Sequence, residues 1–256
     1  MPGSLHGKRI LTTRPAHQSA NWCAQLRAAG AQVDNIPMLA IEPLREASAL
    51  QAIKTHTLGF DQVQEAIFVS QNAVYYGVEW LEDYWPQLPQ GPRYYAIGSA
   101  TANALLERGI PCAQDSGHMT SEDLLALPSL QQVAGHRILI FSGVGGRTLI
   151  GDTLRARGAM VTYCELYRRT LPPGAPDTLA SYPATPDAIS VHSGEALANL
   201  AHCIVQSARG QLQYAALICP SVRVAKQARA LGFKRPYGAQ NAGGKAMLDA
   251  LHSALD

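Results

Sequence analysis

The 256-residue chain carries a formal net charge of +2 with basic and acidic residues interspersed, so it lacks the dense Lys/Arg patch with which a nucleic-acid binder displaces counterions. Hydrophobic residues at 47% and charged ones at 16% exclude a disordered chain and suffice for one large α/β core or two of ordinary size. No apolar run approaches the roughly 20 residues of a spanning helix, and MPGSLHGKR lacks the apolar core of a signal peptide, so the expectation is a cytoplasmic protein with neither a membrane nor a nucleic-acid partner.

The run Lys8 to Thr13 reads as a strand closed by Arg14-Pro15, where proline is tolerated just inside a helix start. Trp22, Leu26 and Ala29 share one face of the helix that follows, Gly30 stops it, and Ala31 to Ile36 is the next strand. After Pro37, Met38 to Leu44 has the character of an extended connector rather than a central strand. A helix over Ser48 to Thr55 precedes a strand over Ala66 to Ser70, and a second helix begins at Gln71-Asn72 and runs through Val74, Val78 and Leu81. Trp85 to Pro92 is loop, and Tyr94 to Ile97 is a strand. Gly98 to Thr101 forms a turn, and the helix Ala102 to Arg108 ends at Gly109. Thr120 to Asp123 offers N-cap chemistry for a helix over Leu124 to Leu127.

The stretch from Arg137 restates the start of the chain. Arg137-Ile138-Leu139 echoes Arg9-Ile10-Leu11 and Leu154 to Val161 echoes Leu26 to Val33, both at an offset of 128 residues. A second pair of echoes, His192-Ser193 with Val69-Ser70 and Ser221 to Gly232 with Gly98 to Gly109, shares an offset of 123. Two copies of one α/β unit follow from this. Strand Arg137 to Phe141, a glycine-rich turn, helix Thr148 to Arg157 and strand Ala159 to Leu166 complete one copy. Tyr167 to Pro173 then reads as a returning connector, followed by a proline-rich tract to Pro186. Strands Ala188 to His192, Tyr214 to Cys219 and Tyr237 to Gln240 alternate with helices Gly194 to Val205, Val222 to Leu231 and Gly243 to Ala254. Strands alternating with helices imply parallel sheets covered on both faces. The first domain is expected to be discontinuous, residues 1–37 with 172–256, and residues 38–171 form an inserted second domain that includes the connector strands.

In such sheets ligands bind at the carboxyl ends of strands, where helix N-termini offer unpaired N–H groups and a positive partial charge. The candidate turns are Thr13-Arg14, Ser70-Gln71, Ser99-Ala100-Thr101, Ser142-Gly143, Ser193-Gly194 and Ser221 to Arg223. Serine there is also an ordinary N-cap, and it is the number of such turns that points to an anionic ligand held by backbone amides. Gly143 to Thr148 lacks both the P-loop lysine and the third glycine of a dinucleotide loop. The eight histidines show no metal-ligand spacing, the five cysteines no CxxC, and no nucleophile elbow appears, so no metal or cofactor is expected and the cysteines read as reduced packing residues. His192 reads as a packing residue and Tyr167 as a side chain at the second domain crossing, either a hinge anchor or a group entering the cleft.

The two-copy layout, with ILTTRP (Ile10 to Pro15), AIFVSQNAV (Ala66 to Val74), YYAIGSATANAL (Tyr94 to Leu105), the block Arg137 to Arg169 and AKQARALGF (Ala225 to Phe233), resembles the uroporphyrinogen-III synthase family over essentially the whole chain. The resemblance implies two flavodoxin-like domains joined by a two-stranded connector. It implies a monomer without cofactor that converts hydroxymethylbilane, a substrate with eight carboxylates, into uroporphyrinogen III with loss of water and inversion of the last ring. A transient contact with the preceding enzyme of the pathway is an expectation of the same kind. In this frame Tyr167 matches the tyrosine expected to donate a proton to the departing hydroxyl. Thr101 matches a family threonine, whereas Val224 stands where the family has another and Arg223 beside it becomes the candidate carboxylate contact. The residues by themselves leave a second reading, a non-catalytic two-domain binding protein for a small anion. A nucleotide-dependent enzyme using Ser142 to Thr148 is a third.

Overall fold

The computed structural model describes residues 5–113, 120–183 and 185–255, so the first four residues of the amino-terminal segment discussed above lie outside the described residues. Its strands are β1 (Arg9–Thr12), β2 (Gln32–Asn35), β3 (Ala40–Pro43), β4 (Glu65–Phe68), β5 (Arg93–Ala96), β6 (Arg137–Gly143), β7 (Met160–Thr170), β8 (Ala188–Ser190), β9 (Ala216–Cys219) and β10 (Arg235–Gly238). Its helices are α1 (Ala16–Ala28), α2 (Ala47–Leu58), α3 (Gln71–Tyr84), α4 (Ser99–Glu107), α5 (Ser121–Ala126), α6 (Leu149–Ala156), α7 (Ala175–Ser181), α8 (Gly194–Gln206), α9 (Val222–Ala230) and α10 (Gly244–Leu255). The chain divides into two compact units, residues 1–40 with 170–256, and residues 41–169.

The first unit holds the sheet β2-β1-β8-β9-β10, with every neighbouring pair parallel. Counted within the unit this is the order 2-1-3-4-5 of a flavodoxin-like doubly wound fold. Successive strand residues feed opposite faces: Leu11, Ile189, Leu217 and Cys219 enter one apolar cluster and Ile10, Ala188, Ala216 and Ile218 the other. Both faces are therefore dry, as a parallel sheet requires.

The second unit holds β3-β7-β6-β4-β5, in which β7, β6, β4 and β5 pair with one another in parallel. The same alternation sends Ala66, Phe68, Leu139 and Phe141 to one cluster and Ile67, Ile138, Ile140 and Tyr95 to the other. The two offsets now have a structural meaning. β6 and β7 repeat β1 and β2 at 128 residues, and β8 and β9 repeat β4 and β5 at 123. The spatial order β7-β6-β4-β5 thus matches β2-β1-β8-β9, one winding entered by the chain at two different strands.

Several elements differ from the sequence expectation. The proline-rich tract contains α7, with a proline in its first turn, and Ala175 and Leu179 anchor it in the core. β6 runs on through Ser142 and Gly143 by a bulge, and β7 continues without a break to Thr170, so Tyr167, Arg168 and Arg169 extend the preceding strand. Ser99 to Thr101 form the first turn of α4 itself. β10 begins at Arg235, two residues earlier than expected, because Pro236 is tolerated on an edge strand. The five cysteines are unpaired, and burial pushes the Cys164 and Cys219 thiols up to about 12.

Glycine sets the depth at which α3 seats on its sheet. A Cβ at Gly77 would lie 2.9 Å from Phe141 Cδ1 and 3.1 Å from Phe68 Cε1, two rings stacked at 4.4 Å. Gly77→Ala would gain about 1 kcal/mol of helix propensity, against about 1–3 kcal/mol for forcing a methyl into a packed core. The expected result is a net loss of about 1 kcal/mol, read as a lower urea midpoint. An unchanged or higher midpoint would mean that the ring pair yields freely.

Candidate functional site

In each unit the strand order reverses at one place, between β1 and β8 in the first and between β6 and β4 in the second. Ligands of doubly wound sheets bind outside the strand ends at that reversal. In the second unit the chain leaves β4 at Ser70, whose extended backbone (φ −165°) makes it the N-cap of α3 and whose Oγ accepts the Ala73 N–H at 3.0 Å. The same Oγ lies 2.8 Å from the hydroxyl of Tyr167 on β7. Three of the expected site residues thus meet, because Gly143 at the end of β6 supports the ring of Tyr167.

A Cβ on Gly143 would stand 2.5 Å from Tyr167 Cε2, so no other residue fits beneath the ring without displacing it. Tyr76 of α3 covers another side, its ring centre 5.8 Å away. Tyr167 is only 2% exposed, whereas Ser70 is half-buried. Val144 continues the strand edge, its N–H bonding the Tyr167 carbonyl at 2.8 Å. Ser142 is buried within β6, and the exposed part of the glycine-rich loop is Val144 to Leu149. Gln71 opens α3 as an exposed residue, while Gly98 turns the chain into α4 with φ +81°. Ser99 is half-buried, Ala100 exposed and Thr101 buried there.

The first unit repeats the device with other side chains. Ser193 caps α8 by accepting the Ala196 N–H at 3.0 Å, the position equivalent to Ser70 and Ala73. Ser221 caps α9 through Val224 N–H at 3.3 Å. Val224 itself is buried in the core and Arg223 is exposed on the first turn of α9. Gly194 has Gln227 Oε1 3.1 Å from where its Cβ would be. Arg14 is half-buried where β1 ends, and burial draws its guanidinium below the usual arginine range.

Beside it, sequence reasoning found the packing residue but not its neighbours. Trp22 meets His192 edge-on at 5.4 Å and donates its Nε1–H to Ser190 Oγ at 3.2 Å, while Thr13 Oγ1 donates to the Ser190 carbonyl at 3.0 Å. Both ring nitrogens of His192 are buried without a hydrogen-bond partner among the described residues. The link between Ser70 and Tyr167 spans 97 residues and left no local signal; the turn shared by Ser70 and Ser193 was legible in the 123-residue echo, within which Ser-x-x-Ala recurs. Among the described residues no group of three acidic, histidine or cysteine side chains could hold a metal, and no helix is long and apolar enough to cross a membrane.

Comparison with known proteins adds the following. Residues 20–249 match the family model HEM4, described as uroporphyrinogen-III synthase HemD. A uroporphyrinogen-III synthase of Escherichia coli strain K12 is 37% identical over 250 residues, spanning 94% of this chain and 99% of the relative. That of Salmonella typhimurium is 37% identical over 246 residues, covering 94% and 99%. Among solved structures, a mutant uroporphyrinogen III synthase of Thermus thermophilus superposes with a TM-score of 0.60 at 19% identity, covering 97% of this chain and 99% of that one. A uroporphyrinogen-III synthetase from Helicobacter pylori 26695 gives 0.61 at 15% identity, covering 96% and 99%. At these identities the structural likeness establishes the two-domain α/β fold.

His192 provides a pH test of the first unit. Burial first, and then the charge of Arg14, hold its pKa at about 3, below the ordinary value of about 6.5. The unfolded chain therefore takes the proton first, and the stability contributed by the neutral ring, complete above about pH 6.5, is lost as pH falls toward 3 at up to about 1.4 kcal/mol per unit. Between pH 7 and pH 5 the wild type should lose about 2 kcal/mol more than His192→Phe in chemical denaturation. Equal losses would show that the ring is protonated in the folded protein.

Proposed function

The chain belongs to the uroporphyrinogen-III synthase family, and from that premise we propose which of its residues carry the reaction. The activity is that of a uroporphyrinogen-III synthase, a cyclisation that needs no cofactor and serves porphyrin biosynthesis. The substrate of the family is hydroxymethylbilane, so a departing hydroxyl must be protonated and many carboxylates held while the chain closes. The non-catalytic binding protein and the nucleotide enzyme give way to this family.

In our reading Tyr167 is the source of the proton that leaves with the hydroxyl. The observation that carries it is the Tyr167 hydroxyl at 2.8 Å from Ser70, at the strand-order reversal of the second sheet. A phenol is a far better proton donor than an aliphatic alcohol and can act as a general acid. The carboxylates are taken by the first turns of α3 and α4 in the second unit and of α8 and α9 in the first, where Gln71, Ser99, Ala100, Gly194 and the caps Ser193 and Ser221 offer backbone N–H groups. Thr101, whose own N–H bonds the Gly98 carbonyl, lies in the same turn as Ser99, and Arg14 and Arg223 in the first unit and the strand end Ser142-Gly143 in the second belong to the same set. Orientation is the principal contribution, since ring inversion has only to outrun spontaneous closure of the uninverted ring. We take the functional domains as residues 1–37 with 172–256 and residues 38–171, acting as a cytoplasmic monomer, as the resemblance implies.

Two measurements test this. Tyr167→Phe should lower the rate of type III isomer formation from hydroxymethylbilane by about 10²-fold and leave more of the type I isomer. Unchanged turnover with an unchanged isomer ratio would remove the proton role. Hydrogen exchange with added uroporphyrinogen III should slow the amides at the starts of α3, α4, α8 and α9. Exchange indifferent to the product would refute the assignment of those turns.

A further inference from the structure

Tyr167 cannot easily meet a substrate itself. Its ring is wedged between Gly143, whose missing Cβ leaves the space that Cε2 occupies, and Tyr76, and it is 2% exposed on a central run of β7. To swing outward it would have to push β6 or α3 aside. Ser70 is half-buried and stands just past the end of β4, with the exposed Tyr75 in the helical turn that follows. The exposed member of the hydrogen-bonded pair is therefore the serine.

The inventory of protons points the same way. A serine hydroxyl has one proton and two lone pairs. One lone pair of Ser70 Oγ is occupied by the Ala73 N–H, a bond that the helix start fixes. If the second accepts the Tyr167 O–H at 2.8 Å, the oxygen is saturated as an acceptor and its own O–H is left to point away from the protein. The reverse direction would spend the serine's only proton on the tyrosine and leave the phenol proton inside the core.

We propose that Ser70 is the group that touches the departing hydroxyl, and that Tyr167 acts through it as a proton reservoir. This rests on the reading of Tyr167 as the proton source and says how the proton gets out. As the substrate's C–O bond breaks with its electron pair on oxygen, the Ser70 O–H proton passes to that oxygen and water leaves. The Tyr167 proton passes to Ser70 Oγ in the same step, leaving the negative charge on the phenolate rather than on an alkoxide. When the macrocycle closes, the free α-carbon of the last pyrrole forms the new C–C bond and gives up its proton, which returns through Ser70 to the phenolate. One proton is lent and one recovered per turnover, so the step needs no further reactant. Ser70 then has a chemical role beyond capping α3 or binding a carboxylate.

The test is a double-mutant cycle on the full chain with enzymatically made hydroxymethylbilane, scoring kcat, KM and the ratio of type III to type I product. Ser70→Gly removes the hydroxyl while keeping a residue that helix N-caps tolerate, and Ser70→Thr restores the hydroxyl. The relay requires Ser70→Gly and Tyr167→Phe each to lower kcat about 10²-fold with KM little changed. The double variant should be no slower than the slower single one, and Ser70→Thr should recover most of the rate. A normal kcat in Ser70→Gly with a slow Tyr167→Phe would overturn the relay and leave the tyrosine acting directly. Losses that multiply to about 10⁴-fold would overturn it by showing independent roles. A raised KM at constant kcat in Ser70→Gly would overturn it by assigning the serine to binding. Normal rates in both single variants would overturn the relay and the proton role of Tyr167 together.

Discussion

A parallel sheet has to be covered on both faces, and from this constraint the rest of the molecule follows. The backbone of each strand is satisfied by its neighbours, but alternate side chains from Ile10 and Leu11 or from Ile67 and Phe68 need apolar cover above and below. Helical crossovers supply that cover, and each brings the chain back in the same direction. The parallel strands of each sheet therefore end at one edge of it, where the crossover helices begin. Each such edge collects helix N-termini, with Ser70 as a cap in the second unit and Ser193 and Ser221 as caps in the first.

Under the proposed function, those helix N-termini are what would let a chain of net charge +2 hold a substrate rich in carboxylates. Partial charges of oriented amides do not repel one another as a cluster of lysines would, and they need no counterions when empty. The half-buried Arg14 adds a full charge at one strand end, and its presence helps to keep the neighbouring His192 neutral. Neutrality suits a ring packed against Trp22. In the proposed function these groups serve binding and stability, and the proposed proton transfer belongs to the other unit.

The two copies of the winding have diverged at that point. Ser70 and Ser193 are equivalent caps, yet the residue 128 positions before Tyr167 is Leu39. Among the described residues it is the second unit that pairs its cap with a phenol, and Gly143 provides the room for it. The glycine-rich segment that first suggests a phosphate loop has, at Gly143, the task of admitting an aromatic ring. Its exposed remainder, from Val144 to Leu149, carries neither the lysine nor the glycine spacing of a nucleotide site.

The sequence by itself determined the class of the fold. Apolar runs of four or five residues alternating with helical segments require parallel sheets, and the offsets of 128 and 123 residues required two copies of one unit. The capping serines were legible because a cap depends on residues three apart in the chain. Where local signals were weaker than packing the reading missed: α7 forms within the proline-rich tract because Ala175 and Leu179 find a core to enter, and β7 extends through Tyr167 because β6 continues beside it. Only the tertiary structure decided that the repeat is entered at different strands, since spatial order is set by which strands pair. It alone decided which residues share a site. Ser70, Gly143 and Tyr167 belong to three separate stretches of chain and meet because parallel pairing brings the ends of β4, β6 and β7 together, a contact that no spacing along the chain encodes.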